Sequence, residues 1–205
     1  MNVVSIFVTF FVIALLPLSS GANPPRWKEL ADSFTRTGDL KLLDVAFRDV
    51  MLIPEYTDRS SWVGGGRENK LVALLSLFRY VANEIDLDFD SSIGAPTTKV
   101  IPPENSGIPL GASPSDVKDP ELRKKYESMI KENQKKKLKW RHELHCRNVI
   151  DEVISYTNSF IKRNYSKDDV RVLNGAFRDV LGVDYEGFNV DKYLLDLSGK
   201  VQEAR

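Results

Sequence analysis

The sequence predicts an all-α protein. Apolar residues recur at helical spacing through most of the chain, capping and breaking residues stand where such helices should start and stop, and no segment alternates apolar and polar residues as a half-buried strand does. These signals imply helical hairpins packed into two subcores, bridged by one long helix, with a Pro/Gly-rich linker between them. A chain of 205 residues can bury such a core without disulfides or metals. Lys and Arg number 29 and are matched by 29 Asp and Glu, so no global field draws the molecule to nucleic acid or to a membrane surface.

Residues 1–22 read as an export signal. The stretch NVVSIFVTFFVIALLPLSSGA carries no charged side chain, its apolar run from Val3 to about Leu18 is short for a membrane span, and Ser20-Gly21-Ala22 offers small residues for cleavage after Ala22. No Lys or Arg precedes the run, so an uncleaved membrane anchor is the alternative. With cleavage, no span remains in the mature chain. Export also leaves the single cysteine, Cys146, without an intramolecular partner.

Residues 23–87 form the first expected subdomain. Trp27, Leu30, Ala31 and Phe34 share one helical face, and Gly38 is placed to close that helix. Asp39 caps a second helix, in which Leu40, Leu43, Ala46, Phe47 and Val50 recur until Pro54 stops it. After the turn-rich stretch EYTDRSSWVGGGREN, a third helix from Arg67 to about Glu84 carries Leu71, Val72, Leu74, Leu75, Phe78 and Val81. Apolar residues over so much of its circumference predict a central position.

Residues 88–118 are the linker, rich in Pro, Gly and Ser, and mark a domain boundary or a strap over the surface. Residues 119–205 form the second subdomain. Asp119-Pro120-Glu121 is a strong helix start, and no Gly or Pro follows until beyond Asn164, so this helix can run about 60 Å. Its apolar stripe changes face: Leu122, Tyr126, Met129, Trp140 and Leu144 cluster on one side, and Val149, Ile150, Val153, Thr157 and Phe160 nearly opposite. The helix therefore serves two packing partners or kinks near Trp140 to Cys146. Ser166-Lys167-Asp168-Asp169 opens a further helix that Gly182 closes, and Asn189 or Asp191 starts the last one.

The pentapeptide AFRDV occurs at Ala46–Val50 and again at Ala176–Val180, an offset of 130 residues under which Asp39 falls on Asp169 and Leu43 on Leu173. The wider match suggests a repeated helical hairpin. On a helix Ala46, Phe47 and Val50 face one way while Arg48 and Asp49 face the other, which makes Phe47 and Phe177 core plugs rather than neighbours of a duplicated charged site. Asp44, four residues before Arg48, is expected to pair with it on the solvent side.

Three segments offer chemistry. His142, His145 and Cys146 include an i, i+4 pair that makes half a zinc site, the starting point for a metal-dependent hydrolase; the spacing is not HExxH and the chain has no third His. On the buried face of a helix, Cys146 is otherwise a small apolar residue. Gly64, Gly65, Gly66 and Arg67, with Lys70 one turn on, lead into a helix where free N–H groups and a basic side chain can hold a small anion, although a P-loop's spacing is absent. Lys135, Lys136, Lys137, Lys139, Trp140 and Arg141 form a basic run with an aromatic inside it, suited to a protein, an acidic envelope polymer or anionic head groups; export and the zero net charge argue against nucleic acid. The acids of IDLDFDSS do not make an EF-hand, because the sixth and twelfth positions counted from Asp88 hold Ile93 and Lys99. Asn164-Tyr165-Ser166 is a glycosylation sequon if the source is eukaryotic.

The stretch GASPSDVKDPELRKKYESMIKENQKKK resembles a segment of uncharacterised exported bacterial helical proteins. The likeness covers about thirty residues and rests on the DPELR start with Tyr126, Ile130 and Asn133. It implies bacterial origin and export, and no activity. With no catalytic constellation in view, the sequence points to a non-enzymatic exported interaction or scaffold protein of the cell envelope. A metal-dependent hydrolase and a small anion-binding protein remain the alternatives.

Overall fold

In a computed structural model, residues 24–55, 66–86, 88–89, 94–96, 100, 102 and 106–203 are described, with side chains through residue 197. The expected signal peptide lies outside them. Among the described residues six α-helices account for most of the chain and no strand occurs, which establishes the all-α class.

Helix α1 (Arg26–Thr37) ends at Gly38, whose φ of 68° lets its N–H turn back to the Phe34 carbonyl at 2.7 Å. Asp39 then caps α2 (Leu40–Met51) by accepting from the Lys41 N–H at 3.1 Å. With only two residues between them, α1 and α2 lie closely side by side. Helix α3 (Gly66–Ala82) buries Leu71, Leu74, Leu75, Leu77, Phe78 and Val81, and packs against α1, α2, α4 and α5, the central position its sequence predicts. Val72 is the exception and faces solvent.

Helix α4 (Pro120–Asn164) is uninterrupted over 45 residues, about 68 Å. Asp119 caps it, accepting from the Glu121 N–H at 2.9 Å, and the end of the linker straps its first turns. Both Nε and Nη2 of Arg123 donate to the Val117 carbonyl, at 2.9 and 2.7 Å, and the Tyr126 hydroxyl reaches the Ala112 carbonyl at 3.3 Å. The first half of α4 does not serve a subcore of its own. Leu122, Met129, Trp140 and Leu144 are half-buried and stand outside the core, whereas Cys146, Val149, Ile150, Val153 and Phe160 enter it. Five apolar residues on one face over six turns are too sparse to close a core without a second helix beside them.

Helix α5 (Val170–Leu181) follows a tight turn in which the Asp169 carboxylate accepts from the Ser166 N–H at 2.8 Å, and Gly182, at φ 75°, closes it. Asn189 caps α6 (Val190–Glu203) through the Lys192 N–H at 2.9 Å. The repeat does not extend to a second hairpin. Where α2 lies along α1, α5 leaves α4 and packs on α3.

Apart from Val117 and Tyr126, which pack where the linker straps α4, the buried hydrophobic side chains among the described residues form one cluster, from Ala31 and Phe34 through α3 to Leu173, Phe177 and Tyr193. The two sets of helices expected to build separate subcores are joined, because α3 is apolar on both sides and serves both. Phe177 is 2% exposed and meets Tyr185 and Phe188 edge-on; Phe47 is half-buried, edge-on to Tyr156. Phe177 is thus the expected core plug, whereas Phe47 packs at the edge of the core with part of its ring at the surface. The charges beside them go separate ways: Asp49 meets Arg26 at 3.4 Å, and Arg178 grips Asp184. Asp44 does not make the expected pair with Arg48 but reaches His145 on α4, where Oδ1 and Nε2 lie 2.8 Å apart.

Candidate functional site

Of the three residues of the half zinc site, His142 and Cys146 stay together and His145 turns away. His142 stacks on Phe34 with ring centroids 5.8 Å apart, and its Nε2 lies 3.7 Å from the Cys146 sulfur. His145, three residues on, turns instead to Asp44. Cys146 has no exposed surface; burial, with the charges of Glu143 and Glu84, pushes its thiol up to about 12. A thiol so held is a poor metal ligand and a poor nucleophile at neutral pH. Among the described residues no three His, Cys, Asp or Glu side chains are grouped to hold a metal ion, and a zinc centre at His142 and Cys146 would need a further ligand.

Gly64 and Gly65, with Trp62, lie outside the described residues, and Gly66 is the first residue of α3. Arg67 donates to the Asn164 carbonyl at 2.9 Å and to Asp169 at 3.4 Å, with its guanidinium 4.8 Å over the Tyr165 ring. Lys70 is only 2% exposed; its ammonium donates to the Met51 carbonyl at 2.8 Å and lies against Tyr156 and Phe160. Both cations thus hold helix ends: Arg67 the end of α4, Lys70 the end of α2. Beside them Glu55 accepts from Tyr156, Asn164, Arg163 and Lys70. Burial raises its carboxyl, but those bonds and charges more than reverse this and leave it below its ordinary value. Asn164, the sequon residue, spends its amide on the Phe160 carbonyl at 3.0 Å and on Glu55.

The basic run spreads around α4, since neighbours on a helix stand about 100° apart. Lys136 pairs with Glu132 at 2.8 Å and Lys139 with Asp86 at 2.6 Å, while Lys137 and Trp140 are half-buried. What the structure adds is a longer pattern. Residues 120–141 stand clear of the core and carry nine Lys and Arg against three Glu. Lys124, Lys131, Lys135 and Leu138 fall on one face and all are exposed, Leu138 at 66%. Lys131 opens the basic stretch that runs to Arg141, whereas Lys124 lies upstream of it and is joined to it only by spacing at i, i+7 and i+11.

Where the helix enters the core, an acid the sequence reading passed over locks it in place. Glu143, 2% exposed, accepts from the Asp86 N–H and from Arg147 Nε, each at 2.8 Å, and Arg147 returns a bond to the Asp86 carbonyl. Glu143 and Arg147 are an i, i+4 pair set beside Cys146 on an otherwise apolar face. That context was the available signal.

Two open troughs lie on the surface of the described residues. One, about 640 Å³, lies between α1 and α3, where the Tyr80 hydroxyl donates to Asp32 at 2.7 Å; burial and that carboxylate push the phenol up to about 12. The other, about 520 Å³, lies between α2 and α4 with Phe47 and Tyr156 in its floor and Asp151, Glu152, Ser155 and Ser159 around it. No helix among the described residues is long and apolar enough to cross a membrane. No protein-family model, curated protein or solved structure matches the chain.

Proposed function

We propose that the chain is a non-enzymatic, exported interaction protein of the bacterial cell envelope, docking an acidic envelope component along the first half of α4. One observation carries the reading: half of a 45-residue helix stands outside the core with nine basic residues against three acidic, in a chain whose total charge is zero. Export rests on the reading of residues 1–22. The hydrolase alternative needs a further ligand beside His142 and Cys146; the anion-binding one needs Arg67 to leave Asn164 and Asp169.

Lys124, Lys131 and Lys135 span about 16 Å along a rigid helix. Single exposed ion pairs contribute little, from nothing to about 1 kcal/mol. A row fixed in advance by the helix can instead meet several charges of one extended anion together, at little further ordering cost. Such binding weakens as salt shortens the screening length to roughly 10 Å at 0.1 M.

The purified chain should be retained on immobilised poly-glutamate at low salt and released as salt rises. The triple variant K124E/K131E/K135E should elute at clearly lower salt with an unchanged melting temperature, because all three side chains are exposed. Passage of the wild-type chain without retention, or equal retention of the variant, sinks the proposal.

A further inference from the structure

We infer that a second copy of this chain docks antiparallel along the other side of α4, opposite the lysine row, and places its basic side chains in the acid-rimmed trough over Phe47 and Tyr156. The reading goes beyond the docking row and uses different residues. Lys137, Arg141, Leu144, Asn148, Asp151 and Ser155 recur at alternating steps of four and three, and so share roughly a quarter of the helix circumference. Arg141, Asn148, Asp151 and Ser155 are exposed, and Leu144 is half-buried without joining the core. Along this seam the charge reverses: basic before Leu144, acidic after Asn148.

A seam with that reversal complements itself only when turned end for end. With a two-fold axis between Leu144 and Asn148, Arg141 of one copy meets Asp151 of the other, Lys137 meets Ser155, and Leu144 meets Asn148, each contact made twice. A parallel pair would set like charges opposite each other. The trough gives Lys137 its seat: the hydrocarbon stem can lie on the rings of Phe47 and Tyr156, with the ammonium between Asp151 and Glu152.

Sedimentation velocity across a wide range of concentration tests this. The wild-type chain should pass from monomer to dimer mass, more readily at low salt. The variants K137E/R141E and D151K/E152K should each bind themselves at least about tenfold more weakly, the scale of a lost close charge pair. Mixed in equal amounts, they should recover the dimer, since each supplies the charges the other lacks, and this recovery also shows that both variants fold. Monomer mass for the wild-type chain throughout, undiminished self-association of both variants, or a mixture that stays monomeric would overturn the inference. Retention on poly-glutamate is measured independently, so failure here leaves the docking row standing.

Discussion

Cys146 lies one turn inside the point where α4 enters the core, with no exposed surface and its sulfur 3.7 Å from His142. Burial raises its thiol first and the two nearby glutamates add to this, to about 12, so the reactive thiolate is scarce across the neutral and mildly alkaline range. The native chain should therefore resist alkylation by iodoacetamide at pH 8, and the same chain in guanidinium should react at once. Mass spectrometry of the modified fraction reads the difference. Rapid labelling of the folded chain would mean that the thiol reaches water, and would reopen a nucleophilic or metal-binding role for Cys146.

At the scale of elements, Asp86 ties the segment after α3 to α4, because Lys139 donates to its carboxylate at 2.6 Å while its backbone engages Glu143 and Arg147. The Lys139 bond, with smaller help from Asp88 and Arg147, holds the Asp86 carboxyl below its ordinary 3.8. A folded-state value below the unfolded one means the stabilisation is complete above the unfolded value and is lost as pH falls through the folded one. Asp86→Asn should accordingly lower the urea midpoint near neutrality, and the gap between variant and wild type should close in acid. A gap independent of pH would assign the effect to packing instead. Helix ends were the most legible feature of this chain: Gly38, Asp39, Asp119 and Gly182 stand at the ends their residue types predict, since a cap is a local contract between one side chain and the backbone beside it. What lies between α2 and α3 or along the linker has no comparable local signal. Which helix packs on which was legible only for α1 with α2, where a two-residue turn leaves no choice. Five residues separate α4 from α5, enough for α5 to find α3 instead.

For the molecule as a whole, periodicity marks which face of a helix is apolar but not how many cores those faces build. That is why α3 reads correctly as central while the count of cores does not follow from it. The candidate sites show the same limit: His142 and Cys146 share a face as their spacing predicts, yet only the fold shows that Phe34 covers one and burial silences the other. A single core has a thermodynamic consequence. Phe34, on α1, and Phe177, on α5, are 0% and 2% exposed and belong to one cluster with α3 between them. Phe34→Ala and Phe177→Ala should each destabilise by about 3–5 kcal/mol, the usual cost of emptying a buried phenylalanine site. If the core is cooperative, either substitution must shift the entire urea transition, so that far-ultraviolet circular dichroism and tryptophan fluorescence still move together. Independent subcores would give a different result: each substitution would melt its own set of helices first, and the curve would split into two steps.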